Sequence, residues 1–128
     1  MAADKSMPIL VVDDHRTMLV IIARQLQGIG FHDVDTVADP VTALTMLRRR
    51  RYGLILSDWN MAPMNGLAFL ETLRRDPDFA DIPFILITAE NRPENVEQAR
   101  RLGVDGFILK PFDTATLQAR LAAVVGAV

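Results

Sequence analysis

Four short apolar runs recur along the chain: PILVV before Asp13, YGLILS before Asp58, IPFILI before Thr88 and GFIL before Lys110. Each is too short for a helix, rich in Ile, Val, Leu and Phe, and lacks polar alternation, as expected of strands covered on both faces of a parallel sheet. A weaker segment, FHDVDTV, mixes in polar residues and reads as an edge strand. Between them lie segments of helical period: Met18, Leu19, Ile22 and Leu26; Leu44 and Leu47; Leu67, Leu70 and Leu73; Val96, Ala99 and Leu102; Leu117, Leu121 and Val124. Asp39 and Asp113 stand where helices should begin, and Gly28 and Gly103 where helices should stop.

The resulting order, βαβαβαβαβα, predicts an α/β fold with a doubly wound parallel sheet, right-handed crossovers and helices on both faces. At 128 residues the chain suffices for one such domain. No linker or repeat divides it, so residues 1–128 are expected to form a single domain with no output domain, residues 1–6 being a flexible tail. Without cysteine there is no disulfide framework and no thiolate chemistry. MAADKSMP has no basic region followed by an apolar core, and no apolar run approaches the roughly 18 residues that cross a bilayer, so a soluble, cytoplasmic protein is expected. A net charge of -2 argues against a nucleic-acid partner. The one basic cluster, Arg48, Arg49, Arg50 and Arg51, reads as a solvated helix end that complements the helix dipole.

In such folds ligands bind beyond the carboxyl ends of the strands, and the unusual residues fall there. Asp13 and Asp14 end the first strand, Asp58 the third, Thr88 the fourth and Lys110 the fifth. Any one of them could be a cap or strand terminator; five together point to a site. Lys110 is conspicuous because, of fourteen basic residues, only it and Lys5 are lysines.

Three carboxylates at one sheet edge repel by roughly 4 kcal/mol per pair at 4 Å, with an effective dielectric near 20. Lys110 supplies one offsetting charge, and a hard dication with oxygen ligands, of which Mg²⁺ is the best match, supplies two. Transition metals are disfavoured because His15 is the only imidazole near the cluster in sequence; His15 and His32 read as solvent-facing loop residues. A carboxylate beside Mg²⁺, with an ammonium and a hydroxyl to bind phosphoryl oxygens, describes phosphoryl transfer to aspartate, with Asp58 as acceptor.

LVVDD, SDWNM, ITAE and GFILKPF, with HRTM, NG at 65 and 66, ENV at 94 to 96 and KPFDTATL, resemble the receiver domain of two-component response regulators over nearly the whole chain. The resemblance implies a flavodoxin-like (βα)5 sheet of order 2-1-3-4-5. It implies that Asp13 and Asp14 hold Mg²⁺ together with Asp58 and the Asn60 backbone carbonyl, and that Asn60 and Glu90 modulate the site. By the same resemblance Asp58 takes its phosphoryl group from a sensor histidine kinase or phosphotransfer protein. Thr88 and Lys110 bind phosphoryl oxygens, Phe107 is the aromatic switch residue, and Pro111 follows a cis peptide bond. The face of the fourth helix, fifth strand and fifth helix then meets a target protein. The chain is expected to be a phosphoacceptor and not an enzyme, a monomer or weak dimer, possible in chemotaxis, in a phosphorelay or stress response, or as part of a larger kinase or regulator.

Two departures from the family pattern stand out. Ala62 holds the place where a proline is common and Pro63 follows it, and Pro93 opens the fourth helix. A haloacid dehalogenase-type phosphatase also uses Asp, Thr, Lys and Mg²⁺, but it needs a second acid two residues beyond the nucleophile, where Asn60 stands.

Overall fold

The computed structural model describes residues 2–89 and 92–128. The strands are β1 (Ile9–Val12), β2 (Val34–Val37), β3 (Leu54–Asp58), β4 (Phe84–Thr88) and β5 (Gly106–Leu109). They alternate with α1 (Arg16–Ile29), α2 (Pro40–Arg49), α3 (Gly66–Arg75), α4 (Pro93–Arg101) and α5 (Thr114–Val125). All strand pairs are parallel, in the order β2-β1-β3-β4-β5, so the flavodoxin-like α/β architecture expected from the sequence is the one observed.

Why the runs lack polar alternation is now visible. Side chains alternate between the two faces of a strand, and both faces are covered. Leu10, Val12, Ile55, Phe84 and Leu86 face Ala43 and Leu47 of α2 and Phe69, Leu70 and Leu73 of α3. Ile9, Val11, Leu54, Leu56, Ile85 and Ile87 face Leu19, Ile22 and Leu26 of α1 and Leu117 and Leu121 of α5. Each of the Val, Leu, Ile and Phe side chains among these contributes about 1.5–3 kcal/mol on burial, which holds the strand ends, and the residues on them, in fixed places. β2, with one of its four residues buried, is an edge strand as its mixed composition predicts.

Helix ends follow local chemistry. Asp39 accepts a hydrogen bond from the Thr42 N–H at 2.7 Å and Asp113 one from the Thr116 N–H at 2.8 Å, both as expected. Asn65 caps α3 in the same way, accepting from the Ala68 N–H at 2.8 Å. Gly103 takes a left-handed conformation just after α4 (φ 86°). Gly28, however, does not stop α1. The helix runs on to Ile29, and Gly30 takes the left-handed position (φ 117°), its N–H donating to Gln27 and Leu26.

Residues 1–6 were expected to be loose, but the chain is held from residue 2 onward. Ala2 bridges Ala127, the Ala3 N–H donates to Ala127 O at 2.8 Å, and Lys5 Nζ donates to the Ile29 carbonyl at 2.7 Å. Lys5 thereby satisfies a carbonyl at the negative end of α1 and lies 5.1 Å from the Phe31 ring centroid. The arginine cluster forms the last turn of α2 and the residues after it, as read. Two of its members are paired: Arg48 with Asp76 and Asp78, and Arg50 with Asp33 and Asp35. Among the described residues no helix is long and apolar enough to cross a membrane.

Candidate functional site

The parallel register sets the site. Asp13 follows β1 and its N–H donates to Val37 O; Asp58 is the last residue of β3; Thr88 ends β4, paired with Leu109; Lys110 follows β5, and its N–H donates to Thr88 O at 2.9 Å. All five residues picked from the strand ends therefore lie at the carboxyl edge of one sheet. Asp13, Asp58 and Thr88 are buried, while Asp14 is exposed.

Lys110 Nζ donates to Asp58 Oδ1 at 2.8 Å and lies 3.6 Å from Asp13 Oδ2. Its ammonium is largely desolvated, the side chain being 21% exposed, and it meets two carboxylates that are 3% and 1% exposed. The anion needed to bury this lysine is thus a pair of acids. Burial pushes the Asp58 carboxyl above the usual carboxylate range; the hydrogen bond from Lys110 pulls it back, and the nearby Asp13 charge pushes it up again.

Asp13 Oδ1 accepts hydrogen bonds from the His15 N–H at 2.9 Å and contacts His15 Nδ1 at 3.1 Å. Asp13 Oδ2 is buried and has no hydrogen-bond partner among the described residues. Such an oxygen is costly unless a cation meets it, and the ammonium 3.6 Å away is beyond hydrogen-bond range. One ligand atom each from Asp13, Asp14, His15 and Asp58 lies within 4.8 Å of the others. The three carboxylates form an oxygen-rich set of the kind that hard divalent ions such as Mg²⁺ prefer, and the orphaned oxygen is consistent with a cation there.

Two features were not foreseen. His15, read as a solvent-facing loop residue, is indeed 68% exposed, but its ring turns back onto the acids. The Asp13 side chain accepts from the backbone two residues on, an Asx turn, and this D-x-H spacing was the available signal. Gly66 opens α3 directly beneath the acceptor strand: a Cβ there would collide with the Asp58 carbonyl and come within 2.9 Å of Leu86 Cδ2. Its N–H donates to Trp59 O at 2.8 Å, closing the loop from 59 to 66 back on the site.

Asn60 is exposed in that loop, where the Ala62-Pro63 peptide bond is cis. The Lys110-Pro111 bond is cis, as the resemblance implied. Phe107 is half-buried on β5, where it packs against the α2/α3-side core and lines a groove of about 620 Å³ beside Val96, Arg100, Leu109 and Arg120. Glu90 lies outside the described residues.

Comparison with known proteins agrees with this geometry. The chain is 39% identical over 118 residues to chemotaxis protein CheY-3 of Vibrio cholerae, covering 92% of this chain and 91% of that protein. The crystal structure of V. cholerae CheY4 superposes with a TM-score of 0.87 at 31% identity, covering 93% of this chain and 98% of that one. The receiver domain of a Pseudomonas aeruginosa sensor histidine kinase, which has a magnesium ion coordinated in its active site cleft, matches with a TM-score of 0.84 at 28% identity, covering 95% and 99%. The family model described as response regulator receiver domain matches residues 9–122, and the chain belongs to that family.

Proposed function

We propose that this chain is a single-domain, cytoplasmic response regulator of chemotaxis type. It accepts a phosphoryl group on Asp58 from the phosphohistidine of a histidine kinase or phosphotransfer protein, and passes the signal to a target protein. The observation that carries this reading is the placement of Lys110 Nζ 2.8 Å from Asp58 Oδ1 within a cluster of acids at the carboxyl edge of the sheet. A receiver domain is a phosphoacceptor and not an enzyme in the usual sense.

In the transfer, an Asp58 carboxylate oxygen attacks phosphorus, the P–N bond to the kinase imidazole breaks, and the imidazole leaves with the bonding pair. Asp13, Asp14, Asp58 and the Asn60 carbonyl would hold Mg²⁺, which when bound supplies positive charge opposite the phosphoryl oxygens. Lys110 and the Thr88 hydroxyl bind phosphoryl oxygens; Lys110, already desolvated against Asp58, needs little reorganisation to do so. Asn60 and Glu90 modulate the rate.

The output is a population shift between conformers a few kcal/mol apart. The phosphoryl group favours the conformer in which Thr88 has moved toward it, and Phe107 turns inward behind it. Phe107 has no hydroxyl, so this coupling rests on packing. The groove on α4, β5 and α5, with Leu109 50% exposed, then changes shape for the target.

Incubation with Mg²⁺ and a small acyl phosphate, read by intact mass, tests the acceptor. The wild type gains one phosphoryl group; Asp58→Asn gains none, and nor does the wild type without metal. Equal labelling of wild type and mutant would overturn the assignment.

A further inference from the structure

His15 lies with the acids at the edge of the sheet, and an imidazole changes what such a site selects. We infer that His15 Nδ1 is a nitrogen ligand of the Asp13, Asp14 and Asp58 cation site, giving it a preference for first-row transition dications over Mg²⁺. This rests on the carboxylates being a cation site, as the proposed function requires.

The geometry comes first. His15 Nδ1 is 3.1 Å from Asp13 Oδ1 and 3.0 Å from Asp14 Oδ1. Adjacent ligands around a six-coordinate ion with bonds of about 2.1 Å are themselves about 3.0 Å apart. The nitrogen is therefore spaced from each of the two oxygens as neighbouring ligands in such a shell are, and one ligand atom each from Asp13, Asp14, His15 and Asp58 lies within 4.8 Å of the others. The ring does not sit there through a free choice of rotamer alone, because the His15 N–H donates to the same Asp13 oxygen at 2.9 Å and fixes the turn that returns it.

A charged imidazole resting on two carboxylates would show similar distances, so spacing alone does not decide the matter. The separate observation is Asp13 Oδ2. Asp13 is 1% exposed and already meets His15 through Oδ1, yet Oδ2 has no hydrogen-bond partner among the described residues. A protonated His15 leaves that oxygen as it is, whereas a metal ion held by Asp13 lies within reach of both carboxylate oxygens. Charge agrees as well: three carboxylates less the Lys110 ammonium leave two negative charges, which one dication neutralises.

Selectivity follows from donor chemistry. Carboxylate and water suit Mg²⁺, which gains little from an imidazole; Co²⁺, Ni²⁺, Cu²⁺ and Zn²⁺ bind imidazole well, with affinity rising from Mn²⁺ to Cu²⁺. A nitrogen ligand thus raises affinity for the later ions without excluding Mg²⁺, so the metal that loads the site depends on which is available.

The test uses the whole protein at pH 7.5. Co²⁺ binding is followed by its visible absorption and Mg²⁺ binding by Trp59 fluorescence, in wild type, His15→Ala and His15→Gln, with His32→Ala as control. We expect the ratio of Co²⁺ to Mg²⁺ affinity to fall by about tenfold in both His15 variants and to hold in His32→Ala. Pulsed electron paramagnetic resonance of the Cu²⁺-loaded protein should show imidazole nitrogen coupling that is lost only with His15. An unchanged ratio with Mg²⁺ still bound, or nitrogen coupling retained in the His15 variants, overturns the inference and leaves the proposed function standing. If neither ion binds and phosphorylation needs no metal, the cation site itself is wrong and both readings fall.

Discussion

The two poles of the sheet carry charge clusters that look alike as inventories and differ in what surrounds them. At the carboxyl edge Asp13, Asp58 and Lys110 meet almost out of water. At the amino edge Arg50 bridges Asp33 and Asp35, and Arg48 bridges Asp76 and Asp78, with both guanidiniums open to solvent. The Tyr52 hydroxyl donates to Asp35 at 2.6 Å and is pushed up to about 12, by burial first and by Asp35 second. At the amino edge each of the four acids meets a guanidinium, and water reaches both sides of the pairs. At the carboxyl edge one buried acid oxygen lacks a hydrogen bond among the described residues, a mismatch that a purely structural cluster gains nothing by keeping. Burial combined with mismatch, and not the count of ion pairs, separates a working site from surface electrostatics.

The sharpest way to break this contrast is to remove the one base of the carboxyl edge. Lys110→Ala leaves two buried carboxylates without an ammonium. Removing one partner of a fully buried pair costs about 3–5 kcal/mol, and the partial exposure of Lys110 reduces this to about 2–3 kcal/mol. Urea unfolding measures it, and Mg²⁺ should restore much of the loss. Lys110→Arg should keep most of the stability and lose phosphorylation-dependent target binding, because a planar fork cannot replace a compact ammonium between Asp58 and Asp13. Full target binding by the arginine variant would contradict the role given to Lys110.

Removing an acid should do the opposite. The Asp58 carboxyl is held above its ordinary value of 3.8, so the folded state binds its proton more tightly than the unfolded state does. Above the raised value the ionised group costs stability; that cost falls as pH drops through the raised value and is gone below 3.8. Without metal, Asp58→Asn should therefore be more stable than wild type at pH 7, because a desolvated charge beside Asp13 is removed while Lys110 keeps Asp13 as a partner. Its advantage should shrink toward pH 4, and Mg²⁺ should narrow it by stabilising the wild type more. A mutant that is less stable than wild type at pH 7 would mean that the Lys110 pair outweighs the burial penalty.

The carboxyl edge was legible in the sequence because each of its residues ends an apolar run, and parallel strands bring their ends together whatever the details of packing. Asp13, Asp58, Thr88 and Lys110 needed only the alternation of elements to be placed side by side. The amino edge was not legible: Arg50 meets acids 15 and 17 positions away, on β2 and just before it, a pairing fixed by how α2 crosses the sheet. The hold on residues 2–5 was missed for the same reason, since Ala3 bonds Ala127 and Lys5 bonds Ile29. His15 is the solvent-facing loop residue it was read as, but its contact with the acids depends on a two-residue turn that composition does not reveal. Gly28 drew the helix stop two residues early, since sequence shows which residues can be left-handed and only the packed helix end shows which one is.

The smallest expected effect lies at the amino edge and sharpens the comparison from the other side. Arg50→Ala removes a guanidinium that reaches two acids and lies 5.6 Å from the Tyr52 ring, as many contacts on paper as Arg48 makes. Its side chain is 39% exposed and its acids 40% and 35%, so water takes over when it leaves, and Asp35 keeps the Tyr52 hydroxyl as a donor. The loss should be under about 1 kcal/mol at low ionic strength and should fade in molar salt, where exposed pairs are screened. Phosphorylation of Asp58 should be unchanged. A loss of the size expected for Lys110→Ala, persisting in high salt, would show that pairing matters at this edge as much as burial does at the other, and the distinction between the two poles would collapse.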